Sequence, residues 1–226
     1  MKLYVLILSF LVFITEINSQ VNTLSNQKGK ISLGLVQSLN VSYRISSSSS
    51  DLEWMELGLD SIEKPNLGNS TAVLANIGLS ERFQLNTGLS RAKMGYQYKE
   101  GSLIGHTYYR EEYNFIELPV HLIYKTNSKK SYCYMSIGLT SAFVYNSSAR
   151  YKLEGQNNEL RMKLNSNITD FQFTTRFGLG MSFYLSEYWN LKSELFYNQA
   201  LQSISNGPIK KSLFSTGLNF GLFRSL

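Results

Sequence analysis

The chain has 226 residues, with 22 Lys and Arg against 16 Asp and Glu for a formal net charge of +6 at pH 7, and it is 13% aromatic with 15 tyrosines, 3 prolines and 1 cysteine. The lone Cys133 excludes an internal disulfide framework and a cysteine metal cluster, and is expected as a small apolar packing residue. So many aromatics with so few prolines exclude a disordered chain, and a positive excess spread without a Lys/Arg run excludes a nucleic-acid-binding arm.

The first segment reads as an export signal: Lys2, an apolar run over 3–14, then Ile17-Asn18-Ser19 before Gln20. Cleavage after Ser19 is expected, because the apolar run falls short of the roughly 20 residues that a helical anchor needs. Residues 20–28 are then a lead-in, and 29–226 form one domain. The first strand of that domain is predicted over 31–43, with Ile31, Leu33, Leu35, Leu39 and Val41 on one face. A hairpin follows. Val73, Ala75, Ile77 and Leu79 lead through Ser80-Glu81-Arg82 to Phe83, Leu85, Thr87 and Leu89. Residues 113–125 (Ile116, Leu118, Val120, Leu122, Tyr124) and 132–146 (Met135, Ile137, Leu139, Phe143, Tyr145) form a second pair around a polar turn.

The clearest alternation runs over 171–184, where Phe171, Phe173, Phe177, Leu179, Met181 and Phe183 are interleaved with Gln172, Thr174, Arg176, Gly178, Gly180 and Ser182. A seventh strand over 189–199 turns Trp189, Leu191, Leu195 and Tyr197 the same way. The eighth carries Phe214, Leu218, Phe220 and Leu222 against Ser215, Gly217, Asn219 and Gly221.

Connections alternate in length. Long ones are predicted over 44–70, 98–112, 147–170 and 201–211, and the other three are short. Eight antiparallel strands with long loops at one end and tight turns at the other are the pattern of an up-and-down transmembrane β-barrel. Within the third loop, 150–154 and 159–164 flank Gly155-Gln156-Asn157-Asn158 and are expected to extend the neighbouring strands as a solvated hairpin. The first loop opens with Ser46 to Ser50 and reads as flexible, with a short amphipathic helix after Asp51 as the alternative.

Two facts decide which face points outward. One set of positions is bulky and apolar, the other Gly, Ser, Thr, Asn and Gln, and eight strands leave an interior just wide enough for side chains to fill. The apolar sets are therefore expected to face lipid. Glu117, His121, Lys125, Arg176, Lys192 and Glu194 all fall in the polar sets, where they can pair inside instead of costing about 2–4 kcal/mol for each Lys or Arg at the bilayer midplane. They are expected to form a structural network that blocks the lumen. With only His106 and His121 in the chain, no metal site, cofactor or catalytic residue is expected.

The stretch Tyr113-Asn114-Phe115-Ile116-Glu117-Leu118-Pro119-Val120-His121-Leu122-Ile123-Tyr124-Lys125 resembles the Glu-Leu-Pro strand of the PorT-like outer-membrane β-barrel proteins of Bacteroidota. Ser32-Leu33-Gly34-Leu35, Phe177-Gly178-Leu179-Gly180 and Glu194-Leu195-Phe196-Tyr197 match that family more loosely. The terminal aromatic usual in such barrels is displaced here, since Phe223 is followed by Arg224-Ser225-Leu226. The resemblance implies an integral protein of the bacterial outer membrane without catalytic activity. Its role would be structural, adhesive or secretion-accessory. Its partners would be outer-membrane lipid including lipopolysaccharide, the β-barrel assembly machinery during biogenesis and a protein met through the outer loops, with no nucleic acid. Two other readings of the residues stand beside it. One is a soluble, exported, lipocalin-like barrel binding a small hydrophobic ligand; the other is a lipid-modifying barrel hydrolase using His121 and Glu117.

Overall fold

A computed structural model describes residues 29–48, 63–99, 106–126, 131–153, 158–164, 168–205 and 209–226. The expected signal over 1–19, the lead-in over 20–28 and the alternative helix after Asp51 lie outside the described residues. The described chain forms nine strands: β1 (Ile31–Ser48), β2 (Glu63–Gly78), β3 (Phe83–Lys99), β4 (His106–Lys125), β5 (Tyr132–Leu153), β6 (Leu160–Lys163), β7 (Phe171–Tyr184), β8 (Trp189–Ala200) and β9 (Ile209–Ser225). Eight of them pair antiparallel in the order β4-β3-β2-β1-β9-β8-β7-β5, and pairing of β4 with β5 closes the ring. Closure satisfies the backbone groups that an open edge would leave bare. β6 pairs with β5 alone and stands outside the ring, as the solvated hairpin predicted in the third connection.

The alternation predicted from sequence is observed along most of the wall, with Ile77 (3% exposed) and Thr87 (2%) of the predicted outward sets buried as exceptions. Leu35 and Leu39 are each 65% exposed, Leu179 58% and Phe177 53%, whereas Ser42 and Asn76 on the opposite faces are at most 1% exposed. A lipocalin-like arrangement, with bulky apolar groups inside, is thereby replaced by its inverse. Cys133 departs from expectation. It lies on the outer wall beside Met181 and is exposed, because the face that carries it points away from the lumen.

Short connections join β2 to β3, β4 to β5 and β7 to β8. In the first, the Leu79 and Ser80 amides both donate to the Phe83 carbonyl, at 2.9 and 3.0 Å. Gly29, at a φ of 94° that favours glycine, places its amide on the Gly78 carbonyl, so the first described residues sit at this end too. At the opposite end the strands run further than predicted. Residues 44–48 and 63–70 of the first expected loop are in β1 and β2, 98–99 and 106–112 of the second extend β3 and β4, and β5 continues to Leu153. Above the apolar wall neither face of these extensions needs to be greasy, so the hydrophobic period fades while the backbone ladder persists.

Aromatic side chains mark two levels on the outer wall. Near the tight turns Phe83 and Tyr124 stand 5.3 Å apart, with Trp189 beside Arg224. Toward the other end Tyr43 stacks on Phe214 at 5.2 Å, and the Arg91 Nε donates to the Tyr145 hydroxyl at 2.6 Å. A strand climbs about 2.5 Å per residue along the barrel axis, from a rise of about 3.3 Å tilted by roughly 40°. Phe83 to Arg91 therefore spans about 20 Å, and Phe83 to Lys93 about 25 Å, the height of an apolar band in a membrane barrel.

Candidate functional site

The six charged residues expected inside all project from strand faces that line the lumen, but only two of them touch. The Arg176 Nη2 donates to the Glu194 Oε1 at 2.6 Å. Ser136 and Asn219 each donate to the same carboxylate at 3.2 Å, and the Ser38 hydroxyl donates to the Asn219 Oδ1 at 2.5 Å. Five strands thus meet on one ion pair: β1, β5, β7, β8 and β9. Room for it comes from glycine: a Cβ on Gly178 would collide with the Ser136 Oγ and stand 2.7 Å from the Glu194 Cδ. The other four are held separately. Glu117 accepts from the Ser90 hydroxyl at 2.6 Å, and the His121 Nε2 lies 3.1 Å from the Thr140 Oγ1. The Lys192 Nζ donates to Gln84 at 3.4 Å above the Phe223 ring, and Lys125 covers the Tyr132 ring at the tight-turn mouth.

Among the described residues no hydrogen bond joins Glu117 to His121. Glu117 sits at mid-strand, and its neighbour Pro119 has no N–H to offer β3. The β3–β4 ladder is interrupted there between Thr87 and Ser90. A cavity of about 70 Å³ remains between Ser38, Glu117, His121, Arg176, Lys192 and Glu194. It has room for a few waters, well below the roughly 300 Å³ at which small-ligand pockets begin.

The outer half of the lumen holds an aromatic and apolar layer among buried polar residues such as Ser42 and Gln172. Met94, Tyr96, Tyr113, Phe115 and Leu213 pack there with Ile204, which is fully buried and comes from the connection between β8 and β9. That connection is drawn inward by its backbone: the Ile204 amide donates to the Lys211 carbonyl at 2.7 Å, and the Thr169 amide to the Ile204 carbonyl at 2.9 Å. Above this layer, Lys211 donates to the Tyr96 hydroxyl at 2.8 Å and lies 3.3 Å from Glu111, which also accepts from Tyr109 at 2.5 Å and from Tyr113. Burial pushes the Glu111 carboxyl up, but Lys211 and the three tyrosine hydroxyls more than reverse it and hold it below the usual range.

The sequence reading missed this aromatic plug, yet a signal for it exists. In β3 the apolar residues are odd-numbered through Leu89 and even-numbered from Ala92 through Met94 to Tyr96. β4 switches likewise, from Leu122, Val120 and Leu118 to Phe115 and Tyr113. A hydrophobic phase that inverts along one strand marks the level at which the outside becomes wet and the inside becomes dry.

On the outer wall at that level, Glu112 is the hub of a basic cluster. Lys93 and Arg110 approach its Oε1 at 2.8 Å each, and Arg150 its Oε2 at 3.3 Å. Burial raises the Glu112 carboxyl, and its bond from Lys93 with the charges of Arg110, Lys93 and Arg150 lowers it further than burial raises it.

No protein-family model matches the chain, and no curated protein is similar to it in sequence. Solved structures are similar in fold. The outer membrane protein OprG from Pseudomonas aeruginosa superposes with a TM-score of 0.52 at 11% identity, over 89% of this chain and 98% of that one. A major outer membrane protein from Thermus thermophilus gives 0.52 at 13% identity, over 88% and 99%. Neisserial surface protein A gives 0.49 at 12% identity, over 88% and 99%. The chain has the closed, eight-stranded antiparallel fold of outer-membrane β-barrels.

Proposed function

We propose that this chain is an integral protein of the bacterial outer membrane, of the PorT-like kind, that does no chemistry and works through its outer rim and outer connections in a structural, adhesive or secretion-accessory role. The observation that carries the proposal is the inversion of the two faces. A continuous wall of exposed Leu, Ile, Val, Met and Phe, bounded by aromatic levels about 20 Å apart, is covered without cost only by lipid. The lumen meanwhile is filled by an ion-pair layer and an aromatic plug, which leaves the outer rim as the part free to meet a partner. The separation of His121 from Glu117 favours the non-catalytic reading over a lipid hydrolase, because a base and its orienting acid must share a hydrogen bond. The cleaved signal over 1–19 and biogenesis through the barrel-assembly machinery belong to the same proposal.

Fractionation tests it. The protein is expected in the outer-membrane fraction, resistant to carbonate extraction, and shifted on gels between boiled and unboiled samples. Recovery as a soluble, unshifted protein refutes the membrane assignment.

A further inference from the structure

The register of β4, β5 and β6 sets Arg110 opposite Arg150 and Arg150 opposite Arg161, three arginines in one cross-strand row. Two residues along, the next row holds Glu112, Ser148 and Lys163 on the same face, and Lys93 reaches Glu112 from β3. Five basic side chains thus gather around one carboxylate. Like charges placed directly opposite one another in a sheet repel, so an anion beyond Glu112 would relieve this arrangement. The accessible part of the cluster is Arg150, 36% exposed at the side chain, Lys93, 32% exposed, and all of β6, while the Nε groups of Arg110 and Arg150 are buried without a hydrogen-bond acceptor among the described residues.

Position selects the anion. Lys93 stands about 25 Å above Phe83, at the upper limit of the apolar band. Directly below lie the Arg91–Tyr145 pair and then the greasy wall of Leu89 and Leu139. A ligand with phosphates at the height of the arginines and acyl chains along that wall satisfies both surfaces at once; a soluble polyanion satisfies one. Arginine forks also match phosphate oxygens two at a time.

We propose that the outer wall across β3, β4, β5 and β6 binds the phosphorylated headgroup of an outer-leaflet glycolipid, with Arg110, Arg150 and Arg161 on phosphate, Lys93 and Lys163 beside them, and Glu112 fixing the orientation of Lys93, Arg110 and Arg150. The inference rests on the membrane-barrel reading above. Because β6 pairs only with β5, its residues can be changed without touching ring closure.

The test is native mass spectrometry of the full chain folded in detergent micelles, offered diphosphorylated lipid A, the same lipid enzymatically dephosphorylated, or phosphatidylethanolamine. The wild type is expected to retain the diphosphorylated form about tenfold better than the dephosphorylated one, and the Arg161→Gln/Lys163→Gln variant to lose about tenfold in that retention. A Lys30→Gln/Arg82→Gln variant at the tight-turn end is expected to retain it like the wild type. Equal retention of the phosphorylated and dephosphorylated lipids, or equal losses in the two variants, overturns the proposal. Displacement of the lipid by an equimolar amount of inorganic pyrophosphate overturns it in favour of a free-phosphate site. A heat-modifiable protein without lipid preference sinks only this inference, whereas an unshifted one sinks the membrane reading itself.

Discussion

Gly178 and Gly180 look interchangeable in sequence with any small residue of a strand, but each has two neighbouring residues that a methyl group would displace. At Gly178 the space is taken by the Ser136 hydroxyl and the Glu194 carboxyl, the acceptor of the Arg176 bond. Gly178→Ala is expected to destabilise the barrel by about 1–3 kcal/mol, the usual range for overpacking a filled core. Urea titrations of the folded protein in detergent, read from the boiled-versus-unboiled gel shift, measure it, and an unchanged midpoint rules the packing argument out. The residues of this layer were legible because Arg176 and Glu194 are charges at the polar positions of alternating strands. Which of them pair was not, since Glu194 could have met Lys192, Lys125 or Arg176 and only the stagger between β7 and β8 decides. Cys133 was misread for a related reason: composition assigns a small apolar residue to a core, whereas the outward phase of β5 assigns it to the wall.

Among the elements, the connection between β8 and β9 behaves unlike a loop, with Ile204 inserted into the aromatic layer and Lys211 tied to Glu111. The sequence shows a mostly polar stretch around Ile204 there, and nothing local predicts that Ile204 turns inward. What draws it in is the ring of apolar side chains that the phase inversion of β3 and β4 has already placed inside. Glu111 gives this cap a pH dependence with a definite sign. Its carboxyl titrates below the ordinary value of 4.5, so its contribution is complete above that value and is lost as pH falls through the lower, folded-state pKa. Amide hydrogen exchange at Thr169 and Ile204 is expected to quicken as pH falls below 4.5 while exchange in β7 and β8 keeps its usual pH course. Glu111→Gln should expose the same two amides already at neutral pH and flatten the response. Cap amides that follow the β7 and β8 course through acid in the wild type contradict the Glu111–Lys211 account.

At the level of the whole molecule, the barrel is closed twice by unlike materials. The lower layer is ionic and hydrogen-bonded, with a water-sized cavity, and the upper one is aromatic. An ion entering from outside meets the Lys211–Glu111 pair, then Tyr96, Tyr113 and Phe115, which offer its hydration little replacement, and one that passes them meets the Arg176–Glu194 pair across the lumen. Either layer alone blocks free diffusion, so the wild type in planar bilayers is expected to show no steady channel. Tyr96→Ala/Phe115→Ala should remain closed as well, because the ionic layer persists. Adding Arg176→Ala and Glu194→Ala to that variant removes the second layer and should give discrete openings, provided the heat-modifiable shift confirms that the barrel still folds. Steady openings in the wild type contradict a filled lumen. Openings in the aromatic double variant alone would place the whole barrier in the plug and leave the charged residues as packing, with no part in closure.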